Sequence, residues 1–318
     1  MNRLSRLTAS TLLLILALSV SSYGWSDTGH MAAAFVAYQK LTPQVRARVD
    51  ALVRLNPRFS IWSVTIPHGT SAAKKRMMLF MIAATWPDQI KHDGVHQADG
   101  PENGDRPPTD GTAAQNIGYS DTAMHKYWHF IDQPFSPDST PLQNPPVPNA
   151  ATQIAAFRAV LASNSPDPLK SYDLVWLLHL VGDVHQPLHC TSRFTQGQPN
   201  GDAGGNNVNV RDGSTTKRLH AFWDGLLGTS RDPAGALTVG QSLPAAPASL
   251  ANNLDAAVWI DESFAAAKST AYKQPPIGVG AGPFTITSTY RNAARALAKK
   301  RVALAGARLA NILNAELR

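Results

Sequence analysis

The sequence predicts an all-α protein, a single mainly helical domain with one small β-hairpin. Three observations lead there. Apolar residues recur at intervals of three and four over most of the chain, strict alternation is confined to one short stretch, and no linker or internal repeat divides the 318 residues. An apolar fraction of 43% with 16% charged residues belongs to a globular chain and excludes disordered, collagen-like and coiled-coil proteins.

In chain order, residues 1–24 read as a secretory signal peptide: two arginines within Met1–Arg6, an apolar run from Leu7 to Val20, then Ser22 and Gly24 at the positions before cleavage. The run is shorter than the roughly 20 residues of a spanning helix. An exported protein, periplasmic or secreted and without stable membrane association, would then start at Trp25, with residues 25–318 as its domain. Losing Arg3 and Arg6 lowers the net charge from +7 to +5. Helical spacing predicts helices over Met31–Lys40, Thr42–Leu55, Ala72–Ile90, Ala150–Ala162, Lys170–Val184, Ala248–Ser269 and Thr289–Leu317. Asn206–Arg211 alternates, meets a turn at Asp212-Gly213 and continues toward Lys217 as a hairpin. The Gly/Pro/Asp-rich stretches His92–Ser120 and Gln133–Asn149 read as surface loops around a site.

The lone Cys190 excludes an intramolecular disulfide and any cysteine-rich zinc site, so a metal would rest on His, Asp and Glu. A pI of about 9.6 favours an anionic partner, whether nucleic acid, phospholipid or phosphate ester. Histidines concentrate in His179-Leu-Val-Gly-Asp183-Val-His185-Gln-Pro-Leu-His189. His179 and Asp183, four apart, share one helix face, and His220 and Asp224 repeat the spacing. One such pair is more often a surface hydrogen bond than a ligand pair. Two pairs flanked by Val175-Trp176-Leu177-Leu178 and Ala221-Phe222-Trp223 favour metal, because buried imidazole and carboxylate are costly unless satisfied by each other or by a cation. His185 lies roughly 200° from Asp183 around the helix and reads as a core or supporting histidine. Further ligand types stand beside tryptophans in Trp25-Ser-Asp-Thr-Gly-His30, Trp86-Pro-Asp88 and Trp128-His129-Phe130-Ile131-Asp132.

In joint occurrence and order, these motifs resemble the S1/P1 family of zinc-dependent nucleases, whose fold is shared with bacterial zinc-dependent phospholipase C. The resemblance runs from Trp25 to at least Asp224. It implies three zinc ions on nine residues: Asp88, His129, His179 and Asp183 for the first; Trp25, through its terminal amine and carbonyl, with His30 and the bridging Asp183 for the second; His189, His220 and Asp224 for a third, more exposed one. It further implies hydrolysis of single-stranded RNA and DNA to 5′-phosphates, with 3′-nucleotidase activity, and a monomer acting on nucleic acid and nucleotides. Asp88 and Asp183 would be catalytic through the metals they hold. Phe130 would stack a base and Asp132 accept from its edge. Lys91 would both serve catalysis and grip substrate where the family often has arginine, as a point charge without the bidentate fork. Ser26 and Asp27 replace the usual glycine after the terminal tryptophan.

Two other readings are a phospholipase C on the same scaffold and a non-catalytic periplasmic zinc-binding protein. The positive mature charge and the Phe130/Asp132 pair favour nucleic acid. No Gly-x-Ser-x-Gly elbow or P-loop is present, Gly204-Gly205-Asn206 reads as a turn into the hairpin, and Cys190 reads as a small packed thiol.

Overall fold

Helices α1 (Asp27–Lys40), α2 (Pro43–Val53), α3 (Phe59–Thr65), α4 (Ala72–Ala83) and α5 (Trp86–Gln89) open the fold, the last running into a 3-10 turn over Ile90–His92. The structure, a computed structural model, describes residues 24–318, so the expected signal peptide, apart from Gly24, lies outside the described residues. A one-turn α6 (Pro101–Gly104) interrupts the first long loop. There follow α7 (Ala150–Ala162), α8 (Asp167–Asp183), α9 (Leu219–Asp224), α10 (Pro233–Gln241), α11 (Ala248–Ala251), α12 (Ala256–Ala266) and α13 (Ser288–Glu316). Strands are short. β1 (Pro134–Phe135) pairs in parallel with β2 (Ser192–Arg193), and β3 (Asn209–Asp212) lies between antiparallel β4 (Thr215–Arg218) and parallel β5 (Phe284–Thr285). The fold is all-α, as the sequence predicts.

Local chemistry fixes the helix ends. Thr42, Ser71 and Thr287 accept from backbone N–H groups three residues on, and Asn149 forms a capping box with Thr152. The continuous helix expected over Ala72–Ile90 is broken after Ala83. Pro87 has no N–H to continue the ladder, so a new helix starts at Trp86 and places Asp88 in its first turn. The stretch Ala248–Ser269 is likewise split into α11 and α12, with Asp255 capping the second through the Ala257 N–H. The hairpin begins at Asn209 rather than Asn206, because Gly204 and Gly205 have positive φ and turn the chain first. Helices α3 and α10 carry no extended apolar period, and α9 is signalled only by the four-residue spacing of His220 and Asp224.

One apolar core holds these elements together. Helix α8 is buried on every side from Ser171 to Asp183 and is the central rod against which α1, α2, α5, α7 and α13 pack. Helix α1 packs on α13, α10 and α4 as well. At Gly306 a side-chain carbon would lie 2.5 Å from the Ala33 carbonyl oxygen and 2.6 Å from Val36 Cβ, so α13 approaches α1 as closely as backbone allows.

Candidate metal centre

The inner end of α8 carries His179 and Asp183, both fully buried. Helix α1 brings His30 and α5 brings Asp88, while His129 follows a 3-10 turn over Lys126–Trp128. Five side chains from four parts of the chain therefore meet. His179 Nε2 lies 3.2 Å from Asp183 Oδ2 and 3.6 Å from Asp88 Oδ1; His129 Nδ1 lies 3.1 Å from Asp183 Oδ2; His30 Nε2 lies 3.4 Å from Asp183 Oδ1. The His30 and His179 rings stack with centroids 3.8 Å apart. His30, Asp88 and His179, and again His129, His179 and Asp183, present ligand atoms within 4.8 Å of one another. His179 belongs to both groups, while Asp183 turns Oδ1 toward His30 and Oδ2 toward His129 and His179.

A third group, His189, His220 and Asp224, meets the same 4.8 Å spacing. It is nearly as buried as the first, with Asp224 only 7% exposed. His189 Nδ1 donates to the His129 carbonyl at 2.8 Å, His220 Nδ1 to the Gly204 carbonyl at 2.7 Å, and Gln186 Nε2 to Asp224 Oδ1 at 2.8 Å. His179 Nδ1 donates to the Ala84 carbonyl at 2.8 Å, which fixes its tautomer and turns Nε2 inward.

The residues fit a bound cation. Asp183 Oδ1, Asp88 Oδ2, His129 Nε2 and both His30 ring nitrogens are buried without a hydrogen-bond partner. Each such group costs about 1–3 kcal/mol if left unsatisfied, and imidazole nitrogens facing carboxylate oxygens are the donor set of a hard-to-borderline divalent ion. Burial opposes ionisation of Asp88, but Lys91, then His179, His129 and His30, outweigh it and hold the carboxyl well below the usual carboxylate range. Asp183 is likewise held low, by His179 and His189 against its burial. Burial pushes the His129 imidazole down to about 3, with Lys91 adding to the effect. Asp224 goes the other way, its carboxyl raised well above the usual range by burial despite the Gln186 amide.

Trp25 is completely buried at the edge of this centre. The Ser26 N–H donates to the Asp224 carbonyl at 3.1 Å, and Ser26 Oγ donates to the Gly228 carbonyl. A side-chain carbon at Gly24 would lie 1.7 Å from Asp183 Oδ1 and 3.0 Å from His30 Nε2, so the chain just before Trp25 passes against both ligands. Lys91 is buried with Nζ 2.8 Å from Asp88 Oδ1. Phe130 and Asp132 are half-buried on the segment after His129, and Phe130 packs partly on the core. Burial pushes the Asp132 carboxyl up to about 7, and Asp202 adds to the rise.

Sequence reasoning missed the supports. Trp86 and Trp128, noted only as neighbours of ligands, both pack edge-on against Trp176 at 6.2 and 5.0 Å, and Trp176 also abuts the His129 ring at 5.4 Å. Gly182 went unremarked, although a side-chain carbon there would lie 2.7 Å from His30 Nδ1. Gln186 carried no signal beyond its place between His185 and Pro187. His185 sits off the ligand face as expected, donating to the Val181 carbonyl and meeting Arg308 at 3.0 Å. The Cys190 thiol is buried and pushed up to about 12, an inert packed group.

Comparison with known proteins gives the arrangement a context. A family model described as S1/P1 Nuclease matches residues 25–318. Nuclease S1 of Aspergillus oryzae is 24% identical over 229 residues, which are 70% of this chain and 60% of that protein. Endonuclease 4 of Arabidopsis thaliana is 36% identical over 70 residues, 21% of each chain. This chain thus spans less than two thirds of the length of either relative.

Proposed function

Because the chain belongs to the S1/P1 nuclease family, we propose that it is an exported zinc-dependent endonuclease. It hydrolyses single-stranded RNA and DNA to 5′-phosphate products and also acts as a 3′-nucleotidase. The observation that carries this reading is the convergence of eight distant His and Asp side chains, with Trp25 beside them, into two adjoining groups, the first of which holds buried ligand-type atoms without a hydrogen-bond partner. On this reading Asp88, His129, His179 and Asp183 hold one zinc, Trp25, His30 and Asp183 a second, and His189, His220 and Asp224 a third. Residues 1–24 are the signal peptide, and the enzyme, a monomer, begins at Trp25.

Bound zinc supplies a nucleophile from water at neutral pH and neutralises the charge that develops on phosphate and leaving oxygen. The protein's own groups do the rest. Asp183, with Oδ1 toward His30 and Oδ2 toward His129 and His179, would serve the first two sites. The Ala84 carbonyl keeps the His179 tautomer that offers Nε2 to the interior. Lys91 places a cation 2.8 Å from Asp88, where it compensates that carboxylate and draws the substrate phosphate as a point charge. Phe130 gives an unstacked base a ring face and Asp132 an edge partner, an arrangement suited to single strands.

Zinc-loaded protein beginning at Trp25 is expected to release 5′-mononucleotides from single-stranded RNA or DNA, to stop on chelation and to recover on zinc addition. Zinc binding without turnover would overturn the enzymatic reading, and cleavage of phosphatidylcholine vesicles in place of nucleic acid would overturn the substrate class.

A further inference from the structure

Away from the metal centre, α2, α3 and α4 enclose a cleft of about 350 Å³. That lies within the range of small-molecule sites. Val53, Phe59 and Leu79 form an apolar wall, and Arg54, Lys75 and Arg76 carry positive charge into the same space. Asp50 is the one acid there, and it is already engaged. Its Oδ2 lies 3.1 Å from Arg76 Nε, and both its oxygens accept from the Tyr38 hydroxyl at 3.0 and 3.2 Å. Among the described residues no ion pair or side-chain hydrogen bond engages Arg54 or Lys75. Three cations thus face one acid, and the cleft keeps a net positive charge beside a half-buried aromatic ring.

We infer that this cleft is a second ligand site and that it binds a nucleoside monophosphate. Charge selects the phosphate: a phosphomonoester carries about −1.5 to −2 at pH 7 and matches the excess of three cations over one acid, whereas a phosphodiester within a strand carries only one negative charge. The apolar wall selects the other end of the ligand, since the Phe59 ring offers a stacking face to a base. Ser63, one helical turn from Phe59 on α3, adds a hydroxyl within the same cleft for the sugar. None of the lining residues belongs to the metal centre. The nearest link is α1, on which Tyr38 follows His30 by about 12 Å along the axis. A nucleotide in the cleft is thus held without being hydrolysed. The choice of a nucleotide, as the product of the reaction, rests on the proposed function; the cleft itself does not.

The test is a titration of the zinc-loaded protein with adenosine 5′-monophosphate, inorganic phosphate and adenosine, followed by calorimetry and by the NMR signals of Phe59 and Ala72. The monophosphate should bind in two classes of site, one of them moving those signals, and more tightly there than either fragment. R54A/K75A should lose this class while keeping zinc content and the rate of dinucleotide hydrolysis. F59L should weaken monophosphate binding in the cleft about tenfold, through lost stacking, and leave phosphate binding unchanged. A single class of site, or an unchanged second class in R54A/K75A, overturns the inference. Phosphate binding as tightly as the monophosphate overturns the nucleotide assignment. Absence of hydrolysis together with R54A/K75A-sensitive monophosphate binding would sink the proposed reaction and leave the cleft standing.

Discussion

The two ligand groups use the same side chains but are held differently. His30, Asp88, His129, His179 and Asp183 crowd one another, with ring stacking at 3.8 Å and several ligand atoms lacking any hydrogen bond. His189, His220 and Asp224 are instead each tied outward, to the carbonyls of His129 and Gly204 and to the Gln186 amide. The first group is assembled mainly by the packing of α1, α5 and α8, with His129 arriving from a turn, and keeps buried atoms without a hydrogen-bond partner. The second is aimed one residue at a time by hydrogen bonds from loops. A lesion in the first should therefore be shared by its members, whereas a lesion in the second should stay local.

The change that best breaks this contrast is Asp183→Asn, which removes a carboxylate charge from among His30, His129 and His179. Zinc measured by mass spectrometry should fall by about two equivalents, and hydrolysis by more than the 10–100-fold that losing a supporting residue costs. Full activity in the variant would end the assignment; loss of all three metals would show that the groups are not independent. A smaller effect is expected from one extra residue before Trp25. An amide nitrogen is a poor ligand where an amine is needed, and Gly24 already lies against Asp183 and His30. Zinc content and rate should both drop, by about 10–100-fold in rate; equal rates would show that the terminus is not used.

Gln186→Ala sharpens the other side of the comparison. It removes the donor to Asp224, so affinity for one metal should weaken by about 10–100-fold while two stay bound, as read by stepwise chelator titration. The smallest effect concerns the wall behind the first group. His125 lies between Asp99 at 2.8 Å and Asp121 at 2.9 Å and stacks on Trp128, whose neighbour is His129. Tyr127 donates to Asp99 at 2.6 Å in the same cluster. Burial opposes the charged imidazole, but Asp121 and Asp99 outweigh it, so the folded pKa is raised above 6.5. This stabilisation is fully present below about pH 6.5 and is lost as pH rises through the raised folded value. Asp121, held low, acts only on the acid side. Thermal melting against pH should show an alkaline decline that His125→Gln lacks, with a loss of about 1–3 kcal/mol in the variant at pH 6.

How much could be read in advance follows from the same contrast. His179/Asp183 and His220/Asp224 were legible because four-residue spacing on a helix is a local property of the sequence. Asp88 and His129 were legible only through their company, since neither motif carries a period of its own. The contacts that join them are tertiary: the Ala84 and Gly204 carbonyls are backbone groups, invisible in side-chain patterns, and Gly182 matters only because His30 arrives from another helix. The break at Pro87 was written in the sequence, where Trp86-Pro87-Asp88 reads as a helix end, although helical spacing carries the expected helix on to Ile90. Helix α10, with Gly235 and Gly240 inside nine residues, has too little intrinsic preference to be seen and forms against α1.

The contact at Gly306 bears on the order in which the molecule can be made. Helices α1 and α13 are separated by almost the whole chain, yet α13 is the partner on which His30's helix packs most extensively. Asn314 closes the seam, donating to the Lys40 carbonyl and accepting from the Thr42 N–H. A polypeptide emerging from its N-terminal end holds every ligand, through Asp224, before it holds the helix that seats the first of them. The seat of His30's helix is therefore complete only with α13 in place, and this closure between distant parts of the chain is of the kind that slows folding.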